Sequence, residues 1–299
     1  MRDGEPVSRG PLIAAVRPLK NLFSRFPAPL RGLLGGEEKD DVMPSPSTQP
    51  DDQKLMLCIP GPWQDRTDFV RSVVTRTGGD FMFAGAILAN PKLKDHVPLE
   101  FCDRYPEMRQ AFEIAGQGKL SSELLDQIDS HRSVLYVRFP LDAIAQRARL
   151  LTFTSLLHEL GGFAVKVEST GVAHSWDMWN ALVSSDNLFD QYRCFVILLA
   201  DDAQFYSCGM HHFGLPDCEI SRACSMDEAA DTMNRFNYYQ IAEQPDLRSG
   251  HTFSLTPGAP YFQLALETDS RHGADDLFRN PNGVWTLKQA EPSDGVESR

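Results

Sequence analysis

The densest group of chemically active side chains lies between Tyr206 and Ile220, in the segment YSCGMHHFGLPDCEI. It holds two adjacent histidines, two cysteines, an aspartate and a glutamate. The segment follows an apolar run, Cys194 to Ala200, which predicts a buried strand. Polar side chains at the end of a strand are a common position for a functional site in folds that mix helices and strands. This segment is therefore the first candidate for a site.

A metal site is one chemistry that these residues offer, because Cys208, His211, His212, Asp217 and Cys218 are all ligand types for zinc. Zinc sites usually draw on two short pairs of ligands, and only the C-x-x-H pair from Cys208 to His211 is present. Adjacent residues on a strand also point to opposite faces. We therefore predict no bound metal and no cofactor, and keep a metal-dependent enzyme as an alternative.

Cysteine-based hydrolysis is a second chemistry. A catalytic thiol needs a lowered pKa and a histidine held against it. Cys208 precedes His211 by only three residues on an irregular segment, which does not by itself bring the two side chains together. The chain has no GxSxG or SxxK motif and no glycine motif that binds phosphate. We predict no catalytic residues, and keep a hydrolase centred on Cys208–Cys218 as an alternative.

Charge narrows the class of partner. The 299-residue chain has a net charge of −12. Residues 1–36 contribute +4 and residues 37–52 contribute −5, which leaves −11 for the remainder. Such acidity disfavours DNA, RNA and anionic membranes, and it suits a basic protein partner.

Cysteine usage and hydropathy bear on location. The six cysteines form no CxxC pair, which indicates reduced thiols in a cytoplasmic protein. No apolar run approaches the roughly 18 residues that a membrane-spanning helix needs. We therefore predict a cytoplasmic protein without a transmembrane segment.

Composition divides the chain into three parts. Residues 1–53 are predicted to be a disordered basic tail followed by an acidic linker rich in Pro, Ser and Asp. Residues 54–288 are predicted to form the folded domain, with a division into subdomains 54–190 and 191–288 as an alternative. Residues 289–299 are predicted to be a disordered tail.

Hydrophobic patterns and turn residues predict an α+β fold, in which helices pack on mixed β-sheets. The succession of a strand at Ser133–Phe139, a helix at Leu141–Leu160 and a strand at Phe163–Val167 predicts a ferredoxin-like strand-helix-strand unit. The other predicted strands are Leu55–Ile59, Phe81–Leu88, Arg193–Ala200, Gln204–Cys208, Thr252–Leu255, Tyr261–Leu266 and Val284–Leu287. The other predicted helices are a segment capped by Asp65 that ends at Thr77, and Tyr105–Ala115, Ser121–Ser130, Ser175–Val183 and Met226–Ile241.

Two loops carry tryptophan. Trp63 follows Pro60-Gly61-Pro62, and Trp176 ends a segment that runs from Glu168 through His174. Exposed Trp and His in rigid loops suit recognition of a partner, whereas the same residues also suit gaps in a core. Both interpretations stay open from the sequence.

Five segments resemble the bacterial domain-of-unknown-function family 4261. They are CIPGPW from Cys58, GGFAVKVESTGVAHSWDMW from Gly161, CGMHHFGLPDCEI from Cys208, GHTFSL from Gly250 and NPNGVWTL from Asn280. The resemblance spans about Lys54 to Leu287 and leaves out both the basic tail and the acidic linker. It implies no catalytic residue. It implies a setting among bacterial toxin and immunity loci, including those linked to type VI secretion.

This setting and the acidic charge together predict an interaction protein. The most concrete form is a cytosolic immunity protein that binds and neutralises a basic secreted effector, such as a type VI secretion nuclease. A secretion adaptor or chaperone is a further alternative. The predicted partner-binding residues are Trp63, Glu168, His174, Trp176, His211, His212, Asp217 and Glu219.

Overall fold

The structure is a computed structural model that describes residues 54–256 and 259–289. The predicted basic tail and acidic linker, residues 1–53, lie outside the described residues, as do residues 290–299 of the predicted C-terminal tail. Gln289, predicted to begin that tail, is instead the last residue of a strand. Within the described ranges, the helices are too short or too polar to cross a membrane.

The chain forms seven α-helices and two β-sheets in its described part, which confirms the α+β prediction. The helices are α1 (Arg66–Thr77), α2 (Met108–Gly116), α3 (Ser122–Asp129), α4 (Arg147–Glu159), α5 (Trp176–Ser184), α6 (Leu188–Phe195) and α7 (Met226–Glu243). The strands are β1 (Lys54–Gly61), β2 (Met82–Ala84), β3 (Ile87–Asn90), β4 (Asp95–Asp103), β5 (Ser133–Pro140), β6 (Val165–Val167), β7 (Val172–His174), β8 (Ile197–Ala200), β9 (Gln204–Cys208), β10 (Asp217–Ser221), β11 (Thr252–Ser254), β12 (Tyr261–Glu267) and β13 (Val284–Gln289).

The first sheet has seven antiparallel strands in the order β2-β3-β4-β5-β1-β6-β7. Its centre, β4-β5-β1-β6, follows the chain order β1-α1-β4-β5-α4-β6, with the β2-β3 hairpin inserted before β4 and with α2 and α3 inserted between β4 and β5. This connectivity is that of a ferredoxin-like unit, as the strand-helix-strand pattern predicts.

Helices cover the two faces of this sheet unequally. On one face, α1, α4 and α5 bury the odd-numbered residues of β1 and β5, such as Leu57 and Val137. On the other face, α2 and α3 pack over Cys58 and Val134, near one end of the strands. The strand periodicity of two therefore gives the sheet two cores, and the second is the smaller.

The second sheet has six strands in the order β11-β12-β13-β10-β9-β8. Its strands pair antiparallel except for β10 and β13, which run parallel. Helix α7 packs Ala229, Met233 and Phe236 against one face. It begins at a capping box in which the Ser225 hydroxyl accepts from the Glu228 amide and the Glu228 carboxylate accepts from the Ser225 amide.

Several predicted elements differ from the structure. The predicted strand Phe81–Leu88 is a hairpin, β2 and β3, because Gly85 takes a left-handed φ of 66°. The start of the predicted strand Arg193–Ala200 is the end of α6, and β8 begins only at Ile197. The predicted helix Leu141–Leu160 begins at Arg147. Strands β4, β7 and β10 were not predicted.

Candidate functional site

The adjacent histidines lie in a single 3-10 turn, Met210–Phe213, between β9 and β10. Gly209 enters the turn at φ 126°, and a side chain there would overlap the carbonyl oxygen of Phe195. Gly214 leaves the turn at φ 70°. Both conformations favour glycine, so these two residues fix a tight turn against the end of α6.

His212 joins the two sheets. Its Nε2 shares a hydrogen bond of 2.9 Å with the hydroxyl of Ser169, which follows β6 in the other sheet. Its carbonyl accepts from the amide of Ala143, which follows β5 of the other sheet. Burial lowers the pKa of the imidazole well below its usual range, so His212 is neutral. The side chain is completely buried and works as an internal link.

His211 is buried beside it, with ring centroids 4.3 Å apart. Neither ring nitrogen of His211 has a hydrogen-bond partner among the described residues. Burial, together with nearby His272, lowers the pKa of His211 to about 4. A buried polar group without a partner costs stability, so His211 is the energetically least favourable residue of the turn.

Asp217 holds the far end of the turn. Its Oδ1 accepts from the Met210 amide and from the Ser207 hydroxyl, both at 3.1 Å, and its Oδ2 accepts from Asn280 Nδ2 at 2.6 Å. Burial raises the pKa of Asp217 to about 7, although these hydrogen bonds oppose the shift. The carboxyl group thus ties β9, the turn and the segment before β13 together.

The thiols lack the features of a nucleophile. Burial raises the pKa of Cys208 well above its usual range, and it also raises that of Cys218. The Cys208 thiol is directed to the carbonyl oxygen of Phe278 at 3.8 Å. No hydrogen bond joins Cys208 to His211 or His212 in the described part of the chain. The segment therefore does not assemble a thiol and base.

The other predicted site residues have internal partners as well. The indole of Trp63 donates to the Leu160 carbonyl, and that of Trp176 donates to the Gly162 carbonyl. His174 donates from Nε2 to the Cys194 carbonyl at 2.9 Å. Of the eight predicted residues, these three and His211, His212 and Asp217 are buried.

Glu168 and Glu219 are half-buried and paired with cations. Glu168 accepts from Lys166, whose side chain is only 1% exposed, at 2.7 Å. Glu219 accepts from Arg271 at 2.9 Å and from the Thr286 hydroxyl. Seven of the eight predicted residues therefore make internal hydrogen bonds or ion pairs in this conformation, and His211 is buried without one.

The arrangement also bears on metal binding. In residues 54–256 and 259–289, no three side chains of His, Cys, Asp or Glu come close enough to hold a metal ion. Asp217 and the two histidines are near in sequence, but Asp217 bonds to Ser207, Met210 and Asn280 instead. Sequence proximity therefore does not become a shared ligand set.

A different feature faces solvent: the part of the seven-stranded sheet that α2 and α3 leave uncovered. Register places Ala84, Ile87 and Pro98 in one row across β2, β3 and β4. Residues directly opposite each other in antiparallel strands share a face. We call this surface the uncovered face, and its exposed apolar residues are Met82, Ala84, Ile87 and Pro98.

Sequence reasoning missed the uncovered face because β4 was not predicted. Its inward residues Val97 and Leu99 alternate with exposed His96 and Pro98, which is a strand pattern. Pro98 argues against a central strand, since proline donates no ladder hydrogen bond. The alternation of buried and exposed residues was the sequence signal that could have identified β4.

A family model matches part of the chain. Residues 206–287 match the family model described as Domain of unknown function (DUF4261). The matched segment runs from β9 into β13 and includes the 3-10 turn Met210–Phe213, which we call the histidine turn. The chain has no match among the curated proteins and none among the solved structures.

Proposed function

We propose that the protein acts by binding another protein, through the uncovered face. The observation that carries this proposal is the contrast between two regions. The chemically rich segment is buried and internally bonded, whereas an apolar sheet surface that includes Ile87, 41% exposed, and Met82, 49% exposed, faces solvent. Contiguous exposed apolar surface is a common mark of a protein interface.

One ion pair on the uncovered face is already neutralised, since Arg138 pairs with Glu100 at 2.7 Å. Affinity would therefore come from apolar contact at this surface. The net charge of −12 would act at longer range and speed association with a basic partner.

The partner that fits both features is a basic protein with an apolar patch. In the setting of toxin and immunity loci that the sequence resemblance implies, that partner is a secreted antibacterial effector, and this protein is its cytosolic immunity protein. Inhibition by contact needs no active site, which agrees with the buried thiols and neutral histidines of the 3-10 turn.

Calorimetry with the purified basic product of a neighbouring gene tests the proposal. We expect one-to-one binding to the wild type. Ile87→Lys should weaken it by at least about tenfold, since a charge replaces a desolvated anchor. Leu266→Lys is the matched control, because Leu266 is 45% exposed on the other sheet. Equal losses in both variants, or no binding by the wild type, would refute the proposal.

Deletion of the gene separates immunity from the adaptor or chaperone alternative. If the protein is an immunity protein, loss of the gene should make the producer sensitive to its own effector, and a copy with Ile87→Lys should fail to rescue it. If the producer survives but no longer secretes the effector, the adaptor alternative replaces the immunity proposal.

A further inference from the structure

A small cleft lies where the free edges of the two sheets approach each other. It has a volume of about 30 Å³ and is lined by Val172 and His174 of β7, by Ile197 of β8, and by Met178 of α5. A cavity of this volume holds about two water-sized groups. The cleft is separate from the histidine turn and from the uncovered face.

Two cations border this cleft in an otherwise acidic protein. Lys119 follows α2 in a tight turn, where its amide donates to the Gly116 carbonyl at 2.9 Å, and Arg193 lies in the last turn of α6. The two residues come from distant parts of the sequence, so no motif joins them.

The positive charge at the cleft is incompletely neutralised. Arg193 pairs with Asp190 at 3.7 Å, and Lys119 makes no ion pair with any described residue. Lys119 is exposed at the rim of the cleft, and partial burial together with the charge of Arg193 lowers its pKa. The two cations therefore repel each other, and an anion between them would relieve that repulsion.

The third polar group of the cleft is His174. Its Nε2 donates to the Cys194 carbonyl, and burial lowers the pKa of the ring to about 4, so the side chain is neutral at pH 7. It adds no charge of its own. Gln117 is a further polar residue of the lining, and the rest of the wall is apolar, chiefly Val172, Ile197 and Met178.

From these contacts we infer that the cleft binds a small organic anion. Its carboxylate lies at the solvent-exposed rim between Lys119 and Arg193, outside the small enclosed volume, and its short aliphatic part enters the cleft and contacts Val172 and Ile197. The combination of a charged rim with an apolar wall fits this class better than a bare inorganic ion, which would leave the apolar wall unused.

A helix C-terminus also attracts cations, and both residues lie near one: Lys119 follows α2, and Arg193 ends α6. If that were their whole role, neutralising either residue would lower stability but leave ligand affinity unchanged. Measuring both quantities on the same variants therefore distinguishes a binding site from helix capping.

Titration with butyrate, butan-1-ol and inorganic phosphate, followed by NMR and calorimetry on the full chain, tests the inference. Butyrate should bind saturably in the millimolar range, butan-1-ol should bind more weakly because it lacks the charge, and phosphate should bind more weakly because it lacks the chain. Lys119→Gln should weaken butyrate binding by about tenfold, the effect of losing one charged hydrogen bond.

Lys92→Gln is the matched control, because Lys92 is an exposed lysine that pairs with Asp80 beside the opposite edge of the first sheet. It should leave the affinity for butyrate unchanged. Absence of saturable butyrate binding, equal binding of butan-1-ol, or wild-type affinity in Lys119→Gln would each overturn the inference. Equal weakening in both variants would do the same, since it would show general electrostatics alone.

Discussion

The adjacent pair His211 and His212 allows one substitution to be compared at two neighbouring positions. Both rings are buried in the same 3-10 turn. They differ in their partners, because His212 Nε2 bonds to Ser169 and only its Nδ1 has none, whereas both nitrogens of His211 have none among the described residues. Leucine is close to histidine in volume and carries no polar atom. The variants His211→Leu and His212→Leu therefore isolate the effect of hydrogen bonding.

His211→Leu should raise the free energy of unfolding at pH 7 by about 1–3 kcal/mol, since it removes the desolvation cost of unpaired polar atoms. His212→Leu should lower it, because the Ser169 hydroxyl is left buried without its ring partner, at a cost of about 1–3 kcal/mol. Since His212→Leu also removes the unpaired Nδ1, which offsets part of its loss, the two variants should differ by at least about 1 kcal/mol. Adding Ser169→Ala to His212→Leu should recover part of the loss.

The pH dependence gives a second, independent readout. The folded-state pKa of His211 is about 4, below its usual 6.5. The cost of keeping the His211 ring buried and neutral is therefore smallest above pH 6.5, and it grows as pH falls toward 4 because the unfolded state then gains a proton that the folded state does not. A single titrating group changes the free energy of unfolding by up to about 1.4 kcal/mol per pH unit, so His211 lowers it by about 2 kcal/mol between pH 7 and pH 5. His211→Leu should lose correspondingly less stability over that interval.

Urea unfolding at pH 7, 6 and 5, followed by fluorescence and circular dichroism, measures all of these quantities. The m-values should be unchanged, which would show that the folded and unfolded states keep their surface areas. A loss of more than about 1 kcal/mol in His211→Leu at pH 7 would refute the reasoning, because it would show that the His211 nitrogens make stabilising contacts. An unchanged pH slope would refute the assignment of the buried neutral ring.

Two further substitutions test the buried charge and the glycine turn. Glu168→Gln removes the carboxylate that pairs with the buried ammonium of Lys166, so it should lower the free energy of unfolding in urea by about 3–5 kcal/mol. Glu113→Gln, at an exposed glutamate, is the control and should change it little. Equal effects of the two substitutions would contradict the buried pair. Gly209→Ala, at φ 126° and against a backbone oxygen, should destabilise more than Gly214→Ala, which has open space and costs about 1 kcal/mol. A reversed order of these two melting temperatures would show that Gly209 is not sterically required.

Local signals predict individual elements well in this chain. Asp65 caps α1, with its side chain accepting from the Asp68 amide, and Gly78 ends the helix in the left-handed conformation. Such contacts span three or four residues, so sequence reveals them. The boundary between α6 and β8 is different. The run from Cys194 to Ala200 is apolar throughout, and a continuous apolar run has no period that separates a helix end from a strand.

The candidate site could be predicted from the sequence less well than the individual helices and strands. The types of residue at Cys208 to Asp217 suggested chemistry, but their roles depend on partners far along the chain. Ser169 lies 43 residues from His212, and Asn280 lies 63 residues from Asp217. No local pattern marks Ser169 or Asn280 as those partners. The same holds for Lys119 and Arg193, which only the folded chain brings to one cleft.

The histidine turn also explains why the family-matched segment depends on the rest of the chain. The match, residues 206–287, contains Gly209 and His212 but excludes β8 and everything before it. Gly209 packs against Phe195, and His212 bonds to Ser169, so both contact residues outside the matched segment. Alone, the segment would expose the apolar edge that β8 covers and would leave the imidazole without its hydroxyl partner. The histidines therefore connect the two sheets and have a structural role. The candidate surfaces for function are the uncovered face and the cleft.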